Sequence, residues 1–138
     1  MNINELRRLV DPMPFNALLG IHVLRYHSDG LTVECAVREQ LLNSAGVLHG
    51  GVLATLADAA VGIALARHFG GRRPLTTIEL KINYLRPVAE GKVRARARLL
   101  KVGTTICVGR VDVKNAAGKI VAAALVSYML LNTTPSGA

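Results

Sequence analysis

Two hydrophobic periodicities divide the chain. From residue 75 onward apolar and polar positions alternate. Ile78, Leu80, Ile82 and Tyr84 are interleaved with Thr77, Glu79, Lys81 and Asn83, and Val93, Ala95, Ala97 and Leu99 with Lys92, Arg94, Arg96 and Arg98. A period of two sends successive side chains to opposite faces, which is the pattern of half-buried strands. Arg86-Pro87 and Glu90-Gly91 mark the turn between these two strands, and Gly103 ends the second. Strands over 105–114 and 120–131 follow, separated by the Asn115–Gly118 turn. The earlier half reads differently. Ile3 to Val10 is a short amphipathic helix stopped by Asp11-Pro12-Met13-Pro14, because proline cannot continue a helix. Leu18–Tyr26 and Leu31–Val37 read as strands around a Ser28-Asp29-Gly30 hairpin signal, and 40–48 as a loop. Between the halves, Gly50 to about His68 is apolar all round and rich in small residues, the pattern of a buried helix. Gly70-Gly71 closes it.

The element order predicts one α+β domain over 1–138, with its core at about 18–131. An antiparallel sheet of about six strands meanders around one long central helix that covers one sheet face. The tail from Asn132 is expected to fray. The uncovered face and the sheet edges call for oligomerisation, as a homodimer or a dimer-of-dimers tetramer.

At 138 residues the chain has room for one core. With 51% hydrophobic residues and no tryptophan, that core is aliphatic. The formal net charge of +8 implies an anionic partner, and nucleic acid, an anionic membrane and a phosphorylated cofactor all satisfy it. The basic residues are dispersed, and two Phe and three Tyr offer little for base stacking, so a nucleic-acid partner is not expected. The 50–66 stretch is shorter than the ~20 residues a membrane span needs and carries Asp58 at its centre, so no membrane partner is expected either. No secretory leader pattern opens the chain, and a cytoplasmic location is expected. Cys35 and Cys107 read as small buried hydrophobes.

The chemistry concentrates in Asn43-Ser-Ala-Gly46-Val-Leu-His49-Gly50-Gly51, with Asp58 in the helix beyond it. The first N–H groups of a helix lack intrahelical partners and lie at the positive end of its dipole. Gly50 and Gly51 leave that end bare, so a ligand oxygen can approach it as in an oxyanion hole. His49 adds a donor, and Asn43 offers both a donor and an acceptor to orient a water. Asp58 stands alone among Ala54, Leu56, Ala57, Ala59, Ala60 and Val61, and its burial demands compensation. Acids in such places are candidate general bases, although a solvent-facing or loop-capping aspartate remains the alternative for this residue alone.

The motif Asn43-x-x-Gly46-x-x-His49-Gly50-Gly51 with Asp58, together with Asn83-Tyr84-Leu-Arg86-Pro87 and Gly91, resembles the hotdog-fold thioesterases of the phenylacetate-pathway type. That group is related to one class of 4-hydroxybenzoyl-CoA thioesterases. The resemblance implies hydrolysis of an acyl-CoA thioester, with Asp58 as general base or nucleophile and the Gly50 amide polarising the carbonyl. His49 would lie near that carbonyl, and Asn43 would position the water or the acid. Thr77 stands where some relatives have a serine that helps hold the water. The family needs no metal and no cofactor, since coenzyme A is part of the substrate. His22, His27 and His68 are scattered and read as surface or core residues.

Gly50 and Asp58 lie about 12 Å apart along a helix axis, whereas attack on a carbonyl needs reacting atoms within ~3–3.5 Å. Two antiparallel helices across a two-fold axis satisfy both, each acid reaching the other's amino end. Arg72, Arg73, Arg86 and the Arg94/Arg96/Arg98 face are candidates for the phosphates of coenzyme A, with Gly51 beside the thioester. The last set also reads as a solvated strand face. The rivals are a hotdog domain that binds or hydrates acyl thioesters and a basic nucleic-acid-binding domain. A single acid paired with an amide suits hydrolysis better than a hydratase's acid–base pair.

Overall fold

The computed structural model describes residues 1–132, so most of the tail expected to fray lies outside the described residues. Helix α1 (Ile3–Val10) opens with a capping box between Asn2 and Glu5. A second helix, α2 (Pro14–Leu19), follows, then β1 (His22–His27), β2 (Gly30–Ala36), a 3-10 turn (Glu39–Leu41) and α3 (Gly50–His68). Strands β3 (Leu75–Tyr84), β4 (Lys92–Val102), β5 (Ile106–Lys114) and β6 (Ile120–Leu130) complete the chain. All neighbouring strands pair antiparallel in one sheet, with α3 packed on its inner face.

Two expectations are corrected. Residues 18 and 19 are not strand: Pro14 sits at the first turn of α2, and Gly20, at φ 74°, closes it. Proline is pre-set for a helix start and glycine for a left-handed cap, and together they override an apolar run that also suits a strand. The sheet is also not a simple meander. Its order is β1-β2-β4-β5-β6-β3, so β4, β5 and β6 form the meander while β3 crosses to the far edge and pairs with β6.

Inner-face residues Leu31, Val33, Val93, Ala95, Val111, Val113 and Val126 meet Leu56, Val61 and Leu65 of α3, all fully buried. Each large aliphatic side chain so buried contributes about 1.5–3 kcal/mol before entropy is counted. The helix sits close to the sheet because Gly109 of β5 leaves room; a Cβ there would lie 2.6 Å from a Val61 methyl.

The two sheet edges differ. Arg7 of α1 donates to the carbonyls of Val23 and Leu24 at 2.8 and 2.9 Å, and Asp11 accepts from the Val23 N–H at 3.4 Å, so α1 covers the β1 edge. At the other edge, no loop or side-chain hydrogen bond among the described residues covers β3. The outer face sets several basic strand residues against acidic partners. Glu34, 3% exposed, takes Arg94 at 2.7 Å, Lys92 at 3.3 Å and His22 at 3.5 Å, while Arg98 reaches Asp112 at 3.4 Å and Arg96 pairs with Asp29. Burial opposes the charge on Glu34, but the Arg94 and Lys92 hydrogen bonds outweigh it and hold its carboxyl below the usual range.

Candidate active site

Asp58 lies on the face of α3 turned toward β3 and β6, and it is half-buried. Its Oδ1 accepts two hydrogen bonds of 2.7 Å, one from the Thr77 hydroxyl and one from Tyr128 Oη. These are the compensation that a carboxylate in an apolar helix requires. The sheet register supplies both donors, because Thr77 and Tyr128 are directly opposed across β3 and β6. The pairing shifts between Thr77 and Glu79, a bulge of the kind that re-aims side chains near sites. Tyr128 is 6% exposed; burial, with the adjacent Asp58 charge, raises its pKa well above the tyrosine norm despite the opposing Thr77 contact. It therefore remains a protonated donor at neutral pH.

A second cluster forms at the amino end of α3. His49 is the N-cap, and its Nδ1 accepts from the Gly51 N–H at 2.8 Å. An accepting Nδ1 places the proton of neutral His49 on Nε2 and leaves a donor there. The Gly51 amide is thereby occupied, while the Gly50 N–H donates to no group among the described residues. Tyr84 Oη donates to the Gly50 carbonyl at 2.9 Å, and a Cβ on Gly50 would lie 3.1 Å from the Tyr84 ring. Glycine at 50 thus lets the tyrosine close over the helix start. Asn43 builds the loop before it: its Oδ1 accepts from the N–H groups of Ala45 (2.9 Å) and Val47 (3.3 Å), and its own N–H donates to the Val47 carbonyl. An open pocket of about 370 Å³ joins Asn43, Gly50, Leu53, Tyr84, Arg86 and Pro87.

Most of the expected residues therefore fall into two groups. Asn43, His49, Gly50, Gly51 and Arg86 gather at the helix start, and Asp58 with Thr77 lies further along it. Arg86 donates to the Ile120 carbonyl at 3.1 Å and so fixes the turn after β3. Arg72 and Arg73 lie beyond the opposite end of α3, where Arg73 donates to the Leu131 carbonyl at 2.9 Å. The Arg94/Arg96/Arg98 set occupies the outer face of the sheet, away from Asp58. The sequence marks Tyr84 only as part of the Asn83–Pro87 motif and gives Tyr128 no role. A signal exists for Tyr128: a tyrosine buried in a mostly apolar strand must find a partner for its hydroxyl.

An apolar groove of about 380 Å³ begins at the Tyr128 ring. It runs past Ala59, Gly62, Ile63 and Ala66 of α3 to Leu9 and Met13 of the amino-terminal segment.

Residues 45–122 match the model of the thioesterase superfamily. The chain belongs to that family, whose reaction makes it a thioester hydrolase. It is 31% identical to the medium/long-chain acyl-CoA thioesterase YigI of Escherichia coli, over 86% of each chain. A thioesterase structure from Haemophilus influenzae superposes with a TM-score of 0.89 at 26% identity, covering 96% of this chain and 92% of that one. A mutant of the phenylacetic acid degradation protein PaaI of Thermus thermophilus gives 0.77 at 31% identity, covering 86% and 99%. The hotdog fold and the resemblance read from the motif are thereby borne out.

Proposed function

We propose that the protein hydrolyses acyl-CoA thioesters at a site assembled from two copies of the chain. Asp58 of one copy acts as general base or nucleophile, and the Gly50 amide of the other binds the carbonyl oxygen. The observation that carries this reading is the unoccupied Gly50 N–H at a helix start, about 12 Å along the axis from a carboxylate that two donors hold in place. The free edge of β3 favours it, since Thr77 lies on that strand and pairing through the edge brings a second copy's elements beside Asp58. In either role Asp58 must be ionised. As base, it takes a proton from water while the oxygen attacks the carbonyl; as nucleophile, it forms an anhydride that water then opens. The C–S bond breaks in both routes: in the first, the proton held by Asp58 passes to the departing thiolate, and in the second, the water that opens the anhydride supplies it, so coenzyme A ends as the thiol.

The negative charge developing on the carbonyl oxygen is met by the Gly50 N–H, with His49 Nε2–H as a second donor and Asn43 shaping the loop beside them. The apolar groove receives the acyl group. From Ala59 to Ala66 it follows about 10 Å of helix axis, which suits a medium-length aliphatic chain, in line with the substrate in the name of the E. coli relative. Arg86 at the pocket by Gly50, and Arg72 and Arg73 beyond the far end of α3, are the candidates for the phosphates of coenzyme A. Hydrolysis is favoured over hydration because one acid faces one amide, with no second acid–base partner for Cα and Cβ.

A panel of acyl-CoA thioesters, followed by free-thiol release, tests this. Medium-chain substrates should turn over with higher kcat/KM than acetyl-CoA. Added salt should raise KM for the CoA thioester more than for the same acyl group on N-acetylcysteamine, because exposed ion pairs are screened. No thiol release across the panel would overturn the assignment, and equal salt effects would remove the arginines from CoA binding.

A further inference from the structure

Both donors on Asp58 reach the same oxygen. Thr77 and Tyr128 each donate to Oδ1 at 2.7 Å, while Oδ2 accepts from no group among the described residues. A carboxylate held at one oxygen by two donors has its plane fixed and its other oxygen presented. Tyr128 Oη also lies 3.0 Å from the Asp58 backbone carbonyl, so the hydroxyl bridges side chain and helix at the same residue. Space for that hydroxyl comes from Gly62, one turn further along α3. A Cβ at 62 would lie 2.5 Å from Tyr128 Oη and 3.1 Å from the ring carbon bearing it. Glycine within a helix is unfavourable relative to alanine, and here it provides the seat for the tyrosine.

We propose that Tyr128, seated by Gly62 and working beside Thr77, is a positioning residue that ties Asp58 Oδ1 and leaves Oδ2 as the reacting oxygen. The proposal rests on the reading of Asp58 as base or nucleophile. It adds a residue on the last strand to the site and gives different roles to the two carboxylate oxygens. Tyr128 acts through Asp58 and does not itself meet the reacting atoms.

The test uses the full-length protein and four variants: Tyr128→Phe, Gly62→Ala, Asp58→Asn, and Asp58→Asn with Tyr128→Phe. Tyr128→Phe keeps the ring and removes the hydroxyl. It should lower kcat about ten-fold, as expected for losing a hydrogen bond to an ionised group, with KM within two-fold of wild type. In the Asp58→Asn background the same change should cause no further loss, since residues acting as one unit are non-additive. Gly62→Ala, which retains the hydroxyl but crowds it, should lower kcat similarly and keeps the proposal testable if Tyr128→Phe folds poorly. Tyr128→Phe and Gly62→Ala both at wild-type turnover, beside an inactive Asp58→Asn, would overturn the clamp and leave the Asp58 assignment standing. A further loss in the Asp58→Asn background would show that Tyr128 acts independently of Asp58 and would equally overturn it. An active Asp58→Asn would remove both the clamp and the reading beneath it.

Discussion

The two polar clusters on α3 are built on opposite plans. At the helix start, His49 is exposed, Asn43 is spent on loop backbone, and the group that matters is a main-chain N–H that glycine leaves uncovered. Half-way along the helix the group that matters is a side chain, half-buried and held by hydroxyls from two neighbouring strands. The first cluster is local: residues 43–51 make it almost alone, with Tyr84 closing over it. The second depends on the sheet, because its three members lie on α3, β3 and β6. The difference matches the tasks proposed for them. Binding a developing oxyanion needs a fixed dipole open to the ligand, whereas a base must keep its charge in apolar surroundings and hold one orientation.

Mutations should separate the two plans. The largest effect is expected at the middle of the helix. Asp58→Asn removes the charge while keeping the shape, so kcat should fall roughly 10²–10⁴-fold, with acyl-CoA binding and the circular dichroism spectrum little changed. Turnover near wild type would take Asp58 out of the chemistry. A smaller effect is expected at the helix start. His49→Ala removes the Nε2–H donor, and kcat should fall by roughly 10². The same change removes the cap on the Gly51 N–H, so chemical denaturation should show about 1 kcal/mol less stability. A catalytic loss at His49 with no change in stability would contradict the capping geometry; a stability loss with no catalytic change would confine His49 to the cap.

The contrast also explains which parts of the site are legible in the sequence. The helix-start cluster is contiguous, so its residues appear side by side as His49-Gly50-Gly51, and Asp58 is conspicuous as the lone acid in an apolar helix. The contacts of its donors are not visible in that way, although the resemblance points to Thr77 as a site residue. The donors meet through the β3–β6 register and the bulge after Thr77, and neither follows from local periodicity. The strand order is hidden for the same reason. Turn residues over 86–91 look like a hairpin between β3 and β4, yet non-local pairing sends β3 to the other edge of the sheet. At the amino terminus the run from Leu18 to Ile21 is apolar enough for a strand, and only the pairing of Pro14 with a left-handed Gly20 settles it as the end of a helix. The basic alternation of β4 was legible as a strand. Its ion pairs with Glu34, Asp29 and Asp112 required the tertiary structure.

If the two clusters are halves of one site, they must be able to come from different molecules, and subunit mixing tests this most directly. Asp58→Asn breaks one half. Gly50→Pro deletes the proposed oxyanion N–H at a helix position where proline is tolerated, and the nearby Tyr84 ring belongs to an exposed side chain able to give way. Each variant alone should be inactive but folded by circular dichroism. When the two are unfolded and refolded together, half of the dimers should be mixed, and each mixed dimer should carry one site with an intact Asp58 and an intact Gly50 amide. Activity should return to about a quarter of wild type. A mixture that stays inactive, with mixed dimers demonstrated by differential tags, would contradict the account and show that each chain completes its own site.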